Sequence, residues 1–321
     1  MPRARRLVFI CPDLPFPVGG TKVLYRHIDI LRDANIDAIA LHTARGFRYR
    51  WFDNSTPTIS RFEFRKRDSD IFVIPEVFGP KLANLYGNAP KVIFNQNSYY
   101  TFWHYPPDGS PGPCAYTDPS VVGAVVVSQD SKHYLESVFP QLPVARVTLS
   151  VNPHIFMFSK RKERQIAFMP RKNERDAQQV LNILRHKGVL RGWKVATIDQ
   201  MTEKEVAATM RKSLVFLSFG HPEGFPLPPL EAMASGCLCV GYHGNGGREY
   251  FKRRYAYPVE VGDIQTFAWS LERILTKYSS RQAHYERIRR RAAKYISETF
   301  SPANERKSVV ATWRQIISRV Q

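Results

Sequence analysis

Short apolar runs alternate with amphipathic stretches from one end of this chain to the other. That alternation is the mark of parallel sheets whose faces are covered by helices. In the first half, strands are predicted at Arg6–Cys11, Asp37–His42, Asp70–Pro75, Lys91–Asn95, Val121–Ser128 and Ala145–Ser150, with helices beginning near Thr21, Pro80 and Asp130. In the second half they are predicted at Gln165–Met169, Trp193–Ile198, Leu214–Ser218 and Cys237–Tyr242. Helices there are expected to begin near Asn173, Thr202, Pro226, Gly246, Asp263 and Ser280.

Some helix ends carry chemical markers. Thr202-Glu203-Lys204-Glu205 has the form of a capping box. Ser301-Pro302 opens a last helix, in which Val309, Val310, Trp313, Ile316, Ile317 and Val320 recur at helical spacing. The stretch 151–164 is polar and charged, and a new strand–helix series follows it. The expected organisation is α/β: a Rossmann-like domain over 1–155, a second over 156–300, and a closing helix over 301–321 that packs back toward the first. The two parallel sheets would face a central cleft.

Length and composition narrow the class. With 321 residues, 43% hydrophobic and 23% charged, the chain is too long for one ordinary core and too apolar to be disordered. No apolar stretch approaches the length of a membrane span. The apolar run after the basic start ends at Cys11, too short for a signal-peptide core, so a cytoplasmic location is expected. Cys11, Cys114, Cys237 and Cys239 lack metal-ligand spacing, and three of them sit in strand-like runs as small hydrophobes.

The charge is less ordinary. Lys and Arg number 47 against 28 Asp and Glu, a formal +19. Residues 1–150 hold 17 basic and 13 acidic side chains; residues 151–321 hold 30 and 15. An anionic partner, nucleic acid or membrane surface, is therefore to be sought mainly through the second half.

The most informative segment is 214–251, LVFLSFGHPEGFPLPPLEAMASGCLCVGYHGNGGREYF. A buried strand runs into a Gly- and Pro-rich loop that opens a helix. A helix start at the carboxyl end of a parallel strand suits phosphate. Two carboxylates, Glu223 and Glu231, flank it and could clamp diols.

The string resembles the donor site of the retaining GT-B glycosyltransferases of glycosyltransferase family 4, the glycosyl transferases group 1. The resemblance rests on Glu223, Gly224, Phe225, Leu227, Leu230, Glu231, Ala232, Met233, Ala234 and Gly236, and more loosely on Gly246, Gly247 and Glu249. Pro226 stands where that family usually has Gly.

The resemblance implies a GT-B fold and transfer of a sugar from a nucleotide sugar, such as a UDP- or GDP-sugar, with retention of configuration. The acceptor would be a glycan or lipid-linked molecule, as in surface polysaccharide or glycoconjugate synthesis. It further implies that Glu223 holds the transferred sugar and Glu231 the ribose, while the backbone of Gly224, Phe225, Pro226 and Leu227 approaches the diphosphate. Arg171 and Lys172 would neutralise the leaving group, with Arg175 a competitor for the second place. The loop at Asp199 would meet the base. Gly19, Gly20 and Thr21 resemble the family's amino-terminal phosphate and acceptor loop. Asn95, Asn97 and His104 are weaker candidates for sugar or acceptor contact.

No metal or other cofactor is expected. Asp68-Ser69-Asp70 has the Asp-x-Asp form but precedes its strand instead of following it. Ser128, Asp130 and His133 fit helix capping better than a triad. The rival reading is a basic protein directed at nucleic acid, including a glycosyltransferase acting on modified DNA. It draws on 160–164, 252–254 and 287–294. The same clusters would suit the anionic inner face of a membrane.

Overall fold

The computed structural model of this chain describes residues 5–82, 84–108 and 114–320. Residues 1–4, which include Arg3 of the basic start, lie outside them. The chain forms two compact units: Met1–Leu149 with Ala303–Gln321, and Ser150–Pro302.

The amino-terminal unit runs β1 (Arg6–Ile10), α1 (Gly19–Arg32), β2 (Ala38–His42), β3 (Thr58–Ser60), β4 (Asp70–Pro75), β5 (Lys91–Asn95), β6 (Val121–Val126), α2 (Gln129–Val138) and β7 (Val144–Arg146). The strands make one sheet in the order β3-β2-β1-β4-β5-β6-β7, with parallel pairing. β1, β4 and β5 are buried along their whole length, which explains their near-continuous apolar sequences. The order reverses between β1 and β4, the position at which open parallel sheets commonly take ligands.

Asp70 and the trio Ser128, Asp130 and His133 are each engaged in hydrogen bonds near their strand or helix ends. Asp70 is buried and takes a two-bond fork from Arg6, Nε to Oδ1 and Nη2 to Oδ2, both at 2.8 Å. Ser128 accepts from the Ser131 amide at 3.0 Å as the cap of α2, Asp130 accepts from Tyr99, and His133 pairs with Gln129. Local structure therefore accounts for Asp70 and for the triad-like trio.

The helix expected near Pro80 is instead a 3-10 segment, Glu76–Leu82, broken at Gly79, whose φ of 52° leaves the helical region. The edge strands β3 and, in the other unit, Tyr257–Pro258 are too short to announce themselves by alternation.

Glu76 closes β4 with its carboxyl buried. Oε1 accepts from the Asn97 amide at 2.9 Å, while Oε2 has no hydrogen-bond partner. Burial pushes its pKa up to about 7, against backbone N–H groups that pull the other way. The folded state therefore holds this proton more tightly than the unfolded chain, so stability falls as pH rises from about 4.5 to about 7. Glu76→Gln is expected to remove that loss and gain up to about 3 kcal/mol over the parent at pH 8, and almost nothing at pH 4. Urea melts of both proteins across this range check it; a difference independent of pH would contradict it.

The carboxy-terminal unit runs β8 (Glu163–Phe168), α3 (Glu174–His186), β9 (Lys194–Thr197), α4 (Glu203–Lys212), β10 (Ser213–Ser218), α5 (Leu227–Ala234), β11 (Leu238–Gly241), β12 (Tyr257–Pro258), α6 (Ile264–Lys277) and α7 (Gln282–Thr299). Its parallel sheet has the order β12-β11-β10-β8-β9, and its switch point lies between β8 and β10. Leu181, Leu184, Phe267, Leu271 and Ile274 cover the sheet from α3 and α6. The capping box of α4 is complete, with the Thr202 hydroxyl and Glu205 carboxylate satisfying each other's amides. The helix expected at Gly246 is a single 3-10 turn, Gly246–Glu249. Cys11, Cys237 and Cys239 are buried, and burial pushes each thiol up.

The last helix, α8 (Pro302–Arg319), belongs structurally to the amino-terminal unit. Trp313 is fully buried with its ring 5.3 Å from that of Phe9, and Glu305 pairs with Arg26.

Candidate active site

Lys172 and Glu223 meet at the switch point of the carboxy-terminal sheet. β8 delivers the loop carrying Arg171 and Lys172, and its neighbour β10 delivers the loop carrying Glu223. Lys172 Nζ lies 2.7 Å from Glu223 Oε1 and 3.4 Å from the Pro222 carbonyl. The two side chains are 30% and 27% exposed, open enough for a ligand to reach both.

Asn173 holds the loops together. It precedes α3 in the left-handed region, φ 50°, and its amide donates to Phe219 O at 2.7 Å and His221 O at 3.2 Å. Sequence reasoning passed over it. An asparagine before a helix, able to adopt positive φ at small cost, is the signal that was present.

Glu223 has a tightly built seat. Its N–H donates to Gly244 O at 2.8 Å and its carbonyl accepts from Gly246 N at 3.1 Å. A Cβ at Gly244, where φ is +67°, would come 2.8 Å from Glu223 Cβ. The Gly244-Asn245-Gly246 string is thus a wall behind the carboxylate.

α5 offers a thinner anion site than its position suggests. Pro226 is its N-cap and Pro228 and Pro229 lie in its first turn, so three of the four positions 226–229 lack an N–H. Neutralising a diphosphate here falls more heavily on side chains. Phe225 is buried, 5.4 Å from the Tyr250 ring and 5.6 Å from Phe300, and Tyr250 OH donates to Pro226 O. Gly224 and Leu227 are buried with it.

Glu231 is only 7% exposed, which rules out a merely solvated helix position. Tyr250 sits in the same environment; burial first, and then the charges of Cys239, Glu223 and Glu231, push its phenol well up. Arg171, Arg175 and Asp199 are exposed, and Lys172, not Arg175, is the cation at Glu223. His221 and Arg248 were not foreseen. Burial, followed by the charge of Arg248, pulls the His221 pKa down.

In the amino-terminal unit, Gly19 begins α1 and Thr21 Oγ1 donates to Val18 O at 2.8 Å. Gln96 Nε2 donates to Gly20 O at 3.1 Å, and a Cβ at Gly20 would meet that amide at 3.3 Å. Asn95 is fully buried, donating to Tyr116 OH and Thr101 Oγ1, and Asn97 caps the turn at Ser98–Tyr100. Both serve the scaffold. His104 is exposed, next to Trp103 at 66% exposure, and packs over Gly79.

Known proteins share this fold. Residues 191–294 match the model of the family described as glycosyl transferases group 1. Over its whole length the chain is similar to sucrose-phosphate synthase from Thermosynechococcus elongatus, with a TM-score of 0.68 at 11% identity, covering 98% of this chain and 100% of that one. The fold is GT-B, and the chain is a glycosyltransferase. It is 28% identical to an alpha-1,6-glucosyltransferase of Actinobacillus pleuropneumoniae serotype 7 (strain AP76), over 70% of this chain and 69% of that protein. A similar GT-B structure is that of HepE from Anabaena in complex with UDP, with a TM-score of 0.66 at 11% identity over 97% of this chain and 100% of that one. The family match falls on the unit that holds Glu223 and Glu231, but begins after Arg171 and Lys172.

Proposed function

We propose that this glycosyltransferase takes a sugar from a nucleoside diphosphate sugar and passes it to a saccharide or lipid-linked acceptor with retention of configuration. The observation that carries this reading is the Lys172–Glu223 pair at the switch point, with buried Glu231 in the second turn of α5. Lys172, supported by Arg171, stabilises the diphosphate as negative charge develops on it. Glu223 accepts from hydroxyls of the transferred sugar, and Glu231 from the ribose diol.

With these cations beside the leaving group, catalysis is positioning and electrostatic stabilisation, and a divalent ion is dispensable. The leaving phosphate takes the proton of the attacking hydroxyl on the face it vacates. In the amino-terminal unit, Gly19–Thr21 and the exposed Trp103 and His104 are assigned to the acceptor. Because UDP occupies HepE and a glucosyltransferase is among the relatives, UDP-glucose is the first donor to try.

Thermal shift against UDP, ADP and GDP and their sugars tests the donor assignment. One nucleotide at about a hundred times its Kd should add about 2.7 kcal/mol and raise the melting point by several degrees. Glu231→Ala should abolish that shift and Arg171→Ala weaken it. Absence of any shift at millimolar nucleotide would overturn the assignment. Transfer that persists with a chelator would support independence from metal, and the anomeric coupling of the product reports retention.

A further inference from the structure

Much of the excess charge of the carboxy-terminal unit is gathered around α7. Arg287, Arg290, Arg291 and Lys294 recur at helical spacing and are all exposed. The exposed run Lys252–Arg254 lies beside the carboxyl half of this helix because Tyr255 stacks on Tyr295, ring centres 4.3 Å apart and planes 3° from parallel. Tyr295 OH also donates to Glu249 O at 3.2 Å.

A third cluster joins from the other side. Arg289 Nη2 donates to Ser159 O at 2.7 Å, and the Arg290 guanidinium lies 5.4 Å from the Phe158 ring centre. This sets exposed Lys160 and Arg161 next to α7, with Met157, 49% exposed, at the edge. Three segments, 160–161, 252–254 and 287–294, thus make one basic surface. Both acids on α7 are paired, Glu286 with buried Arg289 and Glu298 with Lys294, so the net charge of the exposed stripe rests on Arg287, Arg290 and Arg291.

We propose that this face of the carboxy-terminal unit docks on an anionic lipid bilayer. Each cation near an anionic leaflet is worth about fivefold in partitioning, and needs no shape-matched partner. Met157 supplies an apolar side chain at the edge that can enter the interface. The aromatic rings of the patch do not suit unpaired nucleic acid: Tyr255 and Tyr295 stack on each other and Tyr285 is buried, so none is an open platform for bases. The inference is independent of the sugar and acceptor assigned above.

Co-sedimentation of the full chain with vesicles tests it, using phosphatidylcholine alone or with about 30 mol % phosphatidylglycerol, at about 0.05 M and 0.5 M salt. Binding is expected only to the anionic vesicles and only at low salt. Replacing Arg287, Arg290, Arg291 and Lys294 together by alanine should weaken it at least about a hundredfold. An equal loss of charge elsewhere, Arg65→Ala, Lys66→Ala, Arg185→Ala and Lys194→Ala, should change it little. All eight side chains are exposed, and unchanged melting points confirm that both variants fold. A separate triple variant, Lys252→Glu, Arg253→Glu and Arg254→Glu, should lose binding in the same way. Equal binding to neutral vesicles, retention by the α7 variant, or an equal loss in the control would overturn the proposal. So would displacement from vesicles by a short DNA duplex at matched charge, which would make nucleic acid the preferred partner.

Discussion

Replacing Lys172 by alanine is expected to lower sugar transfer about 100- to 1,000-fold, with the loss mainly in kcat. The ammonium lies 2.7 Å from Glu223 at the carboxyl end of β8, where a leaving diphosphate would gain charge as the glycosidic bond breaks. Prolines at 226, 228 and 229 remove amides that a glycosyltransferase could otherwise use there, so little backbone compensation is at hand. The substitution also removes the ion pair to Glu223, and under the proposed function frees the carboxylate assigned to the sugar. Lys172→Arg should keep the charge but not the point geometry, and fall between the two. Steady-state kinetics against donor check this. A loss below tenfold would move the main electrostatic role to Arg171.

Arg289→Ala is expected to cost about 3–5 kcal/mol of stability, the largest effect foreseen for a residue outside the site. Arg289 is fully buried in α7 and donates to Gly236 O at 2.5 Å and Ser159 O at 2.7 Å, while pairing with Glu286. Its guanidinium lies 5.6 Å from the Phe158 ring centre. Truncation leaves the buried Gly236 carbonyl and the half-buried Ser159 carbonyl without this donor and a glutamate without its cation, in addition to a cavity. At about 2–4 °C per kcal/mol for a unit of this size, calorimetry should register a drop of roughly 6–20 °C. The exposed neighbour Arg290→Ala should shift the melting point little. A loss near 1 kcal/mol for Arg289→Ala would mean that water replaces the arginine.

These two residues show how differently the sequence speaks about site and scaffold. Glu223 and Glu231 are legible because their spacing, the glycine beside the first and the apolar helix around the second occur together in one short segment. Lys172 is legible only as a member of a basic loop. Its choice over Arg175 came from the adjacency of β8 and β10, which brings the two loops together. Asn173 is a local feature whose partners, Phe219 and His221, lie far along the chain. The amide candidates Asn95 and Asn97 looked like ligand contacts after a strand. They are drawn inward because Tyr116, Thr101 and the turn at Ser98–Tyr100 need their hydrogen bonds.

The class of this protein is readable from its residues in order, before any packing is known. Buried parallel strands must be apolar along their length and their helices amphipathic, so hydrophobic patterning alone reveals two α/β units. A helix opening after a strand marks the likeness to a phosphate site in the same local terms. Other features depend on contacts between distant segments and emerge only on folding. Strand order placed Lys172 at Glu223, and packing with Met1–Leu149 claimed the last helix. Among the arginines at 287–291, Arg289 alone turned inward because Gly236 and Ser159 present carbonyls to it, leaving its neighbours exposed with Lys252–Arg254 in one basic face. Helical periodicity places a residue on a side of its helix, but what covers that side is set by chain elsewhere.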